Sequence, residues 1–441
     1  MSKNTLLLTL AATTTAALVV AGQRIGLAVS VVLLLALAAA VSAAPRRVDR
    51  SALTVGVLLA LQPTLRDAGW VVAITVAAAL VAGAAAVAPP NRWPALARVL
   101  VAPLRLGGGT RAVVEAGRLH APEAGSTGWA AAARGLGLAG ILVAGFGGLF
   151  AWADPAFADA GERLLDVGGD PAALARRGLL ALLVCGVTGA LVRAGATARP
   201  VGPFRPWVRF GATELRIAVA ALVGLFAAFV VVQGPILFGG DPHVQATAGL
   251  GYGTYAREGF VQLVVVALLT LGVVGVAART PDSAVRALLA ALCVLTVVVL
   301  LSAHLRLGLV TEAYGLTRVR LGGRAVVLLL GLVLCLVLAA GASRAVADRA
   351  PRLVLLLCLA GVLAFSLVNP DGRIAASAAA RVADGRPVDR DYVRGLSADA
   401  LHRLWQIPRA RGGADLWDPI ERRLERPDGV AGFNVGRWTA R

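Results

Sequence analysis

Long apolar runs broken by short polar gaps set the pattern of this chain. A helix that crosses a membrane needs about 20 mostly apolar residues. Runs of that kind occupy 5–22, 25–44, 51–64, 69–88, 130–152, 178–196, 213–235, 258–278, 285–303, 323–342 and 351–369. They predict an all-α, polytopic transmembrane helical bundle of about eleven spans. The range is ten to twelve, because 51–64 is short enough to be re-entrant or tilted. The first run reads as a retained span. Gln23 and Arg24 follow it without a small-residue cleavage site, and a second run starts at once.

Two stretches break the pattern. Residues 89–128 form a long polar connection opened by Pro89, Pro90 and Pro94. Within it Trp93, Leu96, Val99, Leu100 and Leu104 recur at near-helical spacing among Arg92, Arg98 and Arg105, which suggests a helix in the headgroup plane or a plain connecting helix. Residues 370–441 carry thirteen arginines and ten acids, with Trp405, Trp417 and Trp438. That is too polar to span and too aromatic for a disordered tail. Leu396, Ala400, Leu401 and Leu404 share a helical face behind a Ser397 cap. The expected organisation is 1–88 as N-terminal transmembrane hairpins, 89–128 as a cytoplasmic loop with an interfacial helix, 129–369 as the core bundle, and 370–441 as a small helical extramembrane domain.

Composition agrees with the pattern. Apolar residues make up 58% of the chain and charged residues 15%, too little polar residue to clothe soluble domains of this length. A soluble enzyme, a disordered protein and a disulfide scaffold are excluded. The formal charge of +18 comes from arginines scattered over the gaps rather than from a basic arm, so it reads as a topology signal and not as nucleic-acid binding. Lys3 is the one lysine, which excludes a Schiff-base or phosphate-loop lysine in the folded body. Cys185, Cys293, Cys335 and Cys358 lie in apolar runs, and His120, His243, His304 and His402 are scattered. No metal or other cofactor is implied. The lipid bilayer is the expected partner, with other membrane proteins docking through the tail.

With the N-terminus inside, the inner gaps hold seventeen arginines plus Lys3 and the outer gaps nine. The bias places the N-terminus in the cytoplasm and the tail outside the plasma membrane. The arginines at 306–324 run against it, and a re-entrant segment near 236–256 would invert the orientation of every later span.

Candidate chemistry is sparse. Gly135, Gly137 and Gly140 match GxGxxG but lie in an apolar run with no preceding strand, and Gly140, Ala144 and Gly148 read as helix packing. Ionisable residues at span edges are more informative, since they cost free energy there. Glu214 opens the seventh span and Gln233 nears its end. Tyr255, Arg257 and Glu258 open the eighth, and Glu312, Tyr314 and Arg318 come after the ninth. They read either as separately solvated interfacial groups or as a polar cavity between spans seven and ten. Glu312 with Arg257, or Glu258 with Arg318, is the simplest pairing. No DxD or HExxH lies beside a span, and Asp389-x-Asp391 reads as a solvated helix start.

The strings Ala153–Phe157, Leu237–Gly240, Tyr255–Leu263, Glu312–Arg320, Asn369–Asp371 and Leu396–Ala400 resemble the bacterial integral membrane proteins of the domain of unknown function 4153/4173 family, common in actinobacteria. The resemblance implies a multi-pass membrane protein and no particular substrate. Three functions stand as expectations. The first is a non-catalytic sensor or transporter with the cluster as its site, the second an accessory subunit of a membrane complex, and the third an enzyme on a lipid-linked substrate.

Overall fold

The computed structural model describes residues 1–20, 24–44, 48–119, 171–196, 210–238, 252–409, 412–425 and 428–441, with side chains for all of these except 118–119, 171–175, 233–238 and 252–259. Among the described residues every regular element is helical. In chain order these are α1 (Lys3–Leu18), α2 (Leu27–Ser42), α3 (Arg50–Ala60), α4 (Gln62–Leu65), α5 (Gly69–Val87), α6 (Trp93–Val101), α7 (Leu106–Leu119) and α8 (Pro171–Ala196). Next come α9 (Ala212–Phe238), α10 (Tyr252–Ala277), α11 (Ser283–Tyr314), α12 (Arg318–Ala342) and α13 (Arg344–Leu367). The tail adds α14 (Pro370–Ala383), α15 (Arg390–Arg394), α16 (Leu401–Leu404), α17 (Ala414–Arg422) and α18 (Val435–Trp438), with short 3-10 turns between.

Seven of the described helices are long and apolar enough to cross a membrane: 69–87, 176–196, 212–232, 260–277, 283–314, 318–342 and 344–367. The other expected spans differ. α1 and α2 have 16 residues each, about 24 Å at 1.5 Å per residue. The run at 51–64 is split into α3 and α4 at Leu61, with Pro63 at the start of the second piece. The span expected at 130–152 lies outside the described residues.

The chain divides into two compact units. One comprises Met1–Val201, Ser397–Asp399 and Ile420–Arg441; the other comprises Gly202–Leu396 and Ala400–Pro419. The tail therefore contributes to both.

The first unit packs through small residues. α5 buries Ala78, Ala79, Ala82, Ala84, Ala85 and Ala86, and α2 buries Ala36, Ala39 and Ala40. Apolar side chains gain little by leaving lipid for protein, so close backbone approach and dispersion hold such helices together. Hydroxyls buried here return their bonds to the helix: Thr9 Oγ1 donates to the Thr5 carbonyl at 2.8 Å and Thr75 Oγ1 to that of Val72 at 2.9 Å. The closest approach joins α7 to α8. A Cβ on Gly109 would meet the Gly186 carbonyl oxygen at 2.1 Å, and one on Gly189 the Gly109 oxygen at 2.4 Å. α6 takes the expected helical form, burying Ala95 and Val99 and exposing Trp93, Leu100 and Val101. α7 has no counterpart in the sequence expectation, since the run Gly107–Gly109 looks like a loop.

In the second unit α9 to α12 enclose a branched apolar core that includes Val219, Leu263, Leu292, Leu300, Val327 and Leu334. The guanidinium of Arg216 near the start of α9 pairs with Asp282, which also caps α11 through the Val285 N–H. That contact places the N-terminal ends of α9 and α11 at one end of this unit, as two crossings between them require.

Gly189→Ala should lower the unfolding temperature of the detergent-solubilised protein, by a loss of about 1–3 kcal/mol typical of overpacking. Gly117→Ala, where a Cβ meets nothing within 4 Å, should be neutral or stabilising. Equal behaviour of the two variants would contradict the α7–α8 contact.

Candidate functional site

In the second unit, the string Glu312–Arg320 forms the tight turn from α11 to α12. Gly315 sits at φ 81, where only glycine is unstrained, and its N–H closes α11 on the Thr311 carbonyl at 2.9 Å. Thr317 caps α12 by accepting from the Arg320 N–H. Arg320 donates to the carbonyls of Tyr314 and Gly315 and lies over the Tyr314 ring, 5.8 Å from its centroid.

This turn is the seat for the start of the tail. Arg318 meets Asp371 through both arms of its fork, Nε at 3.0 Å and Nη2 at 2.7 Å, and Asp371 is fully buried. The Arg318 N–H donates to Tyr392 Oη at 2.6 Å, and its Nη2 also reaches the Gly395 carbonyl at 3.3 Å. Asn369, at φ 55, caps α14 through the Gly372 N–H, and Pro370 takes the first helical position, where no N–H is required. In the last turn of α14, Arg381 donates to the carbonyls of Glu312 (2.9 Å), Ala313 (3.1 Å) and Pro387 (3.1 Å).

Of the expected polar cluster, Glu312, Tyr314 and Arg318 come together at this turn. The Glu312 carbonyl holds Arg381, while its side chain and the Tyr314 ring are exposed. Glu214 is elsewhere: it starts α9, accepts from the Gly211 N–H at 2.8 Å, and lies at the end of the unit that carries Arg216 and Asp282. The side chains of Gln233, Tyr255, Arg257 and Glu258 lie outside the described residues, and so do the pairings of Arg257 with Glu312 and of Glu258 with Arg318. The pattern of the sequence does not single out Asp371, Tyr392 or Arg381, although Asn369–Asp371 is among the strings that carry the resemblance.

Further along the α11–α12 seam sit a guanidinium and an imidazole, Arg324 and His304, with no ion pair among the described residues. Arg324 Nε and His304 Nδ1 are shielded and make no hydrogen bond there. The Arg324 guanidinium crosses α11 at Gly308, one turn from His304, where a Cβ would stand 3.0 Å from its Nη2. Phe260 of α10 and Leu307 of α11 close against Gly323 at the same level.

The first unit holds its share of the tail by a second arginine. Arg437 is 3% exposed. It is bound to Asp67, to Asp428 at 2.9 Å, and to the carbonyls of Ile25 and Gly432 at 2.8 and 2.6 Å. Asn434 Nδ2 bridges the carbonyls of Pro63 and Arg66, both at 2.9 Å. The Asp399 carboxylate takes the N–H groups of Asp67 (2.8 Å) and Ala68 (3.0 Å), and the Ala398 N–H returns to Asp67 at 2.9 Å. Asp399 titrates at about 6, raised chiefly by burial and further by the Asp67 carboxylate, against the lowering pull of the Ala68 and Asp67 N–H groups and the Arg66 charge. The Asp389-x-Asp391 pair behaves as expected: Asp389 caps α15, and Asp391 is solvated beside Arg394.

A chain whose described residues form only helices, seven of them apolar and long enough to cross a membrane, is a membrane-embedded protein. The family model described as "Domain of unknown function (DUF4153)" matches residues 53–407, and the chain belongs to that family. No curated protein and no solved structure matches it.

The titration of Asp399 has a stability signature. A carboxyl raised in the folded state contributes stability that is complete below its unfolded value, about 4, and is lost as pH rises through about 6. Between pH 7 and 5 the wild type should therefore gain unfolding temperature relative to Asp399→Asn. Parallel pH profiles for the two would contradict the assignment.

Proposed function

We propose that this chain is a non-catalytic sensor or transporter of the plasma membrane, with its N-terminus cytoplasmic and its tail outside. Its polar site lies between α9 and α12, the seventh to tenth spans, at the end capped by the start of the tail. The observation that carries the proposal is a pair of shielded nitrogens, Arg324 Nε and His304 Nδ1, which make no hydrogen bond among the described residues of the α11–α12 seam. A guanidinium facing hydrocarbon alone costs about 2.5–3.5 kcal/mol at mid-bilayer and less towards the edge, so Arg324 is expected to meet water or a ligand. Gln233, Tyr255, Arg257, Glu258, Glu312, Tyr314 and Arg318 are carried at the same end of the unit and complete the site in this proposal. Glu214 belongs to the opposite end, where a transporter would need its second opening. The bundle faces lipid, and nucleic acid has no place in this account.

An accessory role in a membrane complex is favoured by a different observation. In the first unit the tail exposes Val430 (86%) and Trp438 (65%), apolar surface of the kind a partner would cover.

Thiol labelling separates the two. In a background with the four cysteines replaced by alanine, Gly308→Cys places a thiol beside Arg324. A membrane-impermeant maleimide added outside intact cells should label it if the site is hydrated. Labelling from the cytoplasmic face of inverted vesicles as well would identify a transporter. No labelling from either face overturns the proposal in favour of a closed bundle.

A further inference from the structure

We propose that the Arg324–His304 seam binds a phosphate group carried by a lipid, with the acyl chains lying deeper, along Leu301 of α11 and Leu328 of α12. The inference rests on the site proposed above and names its ligand class.

Charge sets the sign of the ligand. α11 and α12 carry one acid between them, Glu312 at the far end of α11 with an exposed side chain, and α10 adds Glu258, against Arg257, Arg306, Arg318, Arg320 and Arg324 at the same end of the unit. Two nitrogens, Arg324 Nε and His304 Nδ1, lack partners among the described residues. A guanidinium offers a planar fork of donors that fits phosphate oxygens two at a time, and an imidazole adds a third donor when its N–H faces the same point. Neutral sugars or amines would leave the positive charge unmatched, and a metal cation would be repelled.

Depth selects the carrier. α12 has 25 residues, about 37 Å at 1.5 Å per residue, so it exceeds a hydrocarbon core of about 30 Å. Arg324 lies six residues from its start, about 9 Å along the axis. With the excess length shared between its two ends, that position lies roughly 5–6 Å inside the hydrocarbon boundary, a depth from which a long guanidinium side chain reaches lipid phosphates. Below it the surface of the two helices is apolar: Leu301 of α11 and Leu328 of α12, each deeper than the two nitrogens, are exposed. Gly308 matters for the same reason, since the absence of a side chain there leaves the guanidinium its route across α11. A phosphate above and an alkyl floor below describe an anionic amphiphile.

The test is thermal unfolding of the full-length protein in detergent, titrated with dioctanoyl phosphatidylglycerol, with dioctanoylglycerol and with inorganic phosphate. The phospholipid should raise the unfolding temperature saturably, and dioctanoylglycerol, which lacks the phosphate, should not. No effect of inorganic phosphate at matched concentration supports the lipid as carrier. An equal effect of inorganic phosphate overturns the lipid and leaves the anion site. Arg324→Gln should weaken the apparent affinity for the phospholipid by about tenfold or more, the loss of one charged donor pair, and Arg324→Lys should recover part of it. If no phosphate compound shifts the wild type, or if Arg324→Gln responds like the wild type, the ligand class is wrong. Labelling of Gly308→Cys distinguishes the two failures: a labelled thiol with no phosphate response keeps the hydrated site and rejects its ligand, whereas an unlabelled thiol rejects the site itself.

Discussion

An ionised side chain at the edge of a membrane must find a partner, and in the second unit that constraint converges on Arg318 and Asp371. Asp371 is fully buried, so without the guanidinium it would be an uncompensated charge costing several kcal/mol. Everything around the pair serves its geometry. Gly315 and Thr317 end one helix and begin the next so that Arg318 faces the tail. Asn369 and Pro370 start α14 so that Asp371 falls in its first turn, where a negative charge also suits the helix dipole. Tyr392 and the Gly395 carbonyl take the donors that remain. The first unit solves the same problem with Arg437, which exchanges water for two carboxylates and two carbonyls.

Tail docking bears on topology within each unit separately. In the second unit the tail begins against the turn between α11 and α12. In the first its end lies against Ile25 and the Pro63–Ala68 turn, at the opposite end of α1 from Met1.

The helical class and most helix positions were legible in the sequence, because apolar runs of about twenty residues admit few folds in lipid. The helical face of Leu396, Ala400, Leu401 and Leu404 was legible too; all four are buried, although the helix over them is only one turn long. Less legible was α7, since Gly107–Gly109 signals flexibility in a sequence and close contact in a packed bundle. The clasping residues were hidden for another reason. Asp67, Asp371, Asp428 and Arg437 are single charges in polar stretches, and only the fold shows which of many arginines and acids meet. Of the polar residues expected between α9 and α12, Glu312, Tyr314 and Arg318 lie at one turn, but local spacing could not reveal that Arg318 is held by a residue 53 positions away. Glu214 shares their residue type and not their place, since the parallel run of α9 and α11 sets it at the other end.

The central claim is that the Arg318–Asp371 pair seats the tail, and a double-mutant cycle measures it most directly. Unfolding free energies of the wild type, Arg318→Gln, Asp371→Asn and the double variant, taken in one detergent, isolate the pair from each residue's other contacts. A coupling energy of about 1–3 kcal/mol is expected, as for a hydrogen-bonded pair with one buried partner. Single effects that simply add, within about 0.5 kcal/mol, would show that the two residues do not hold each other and that something else seats the tail.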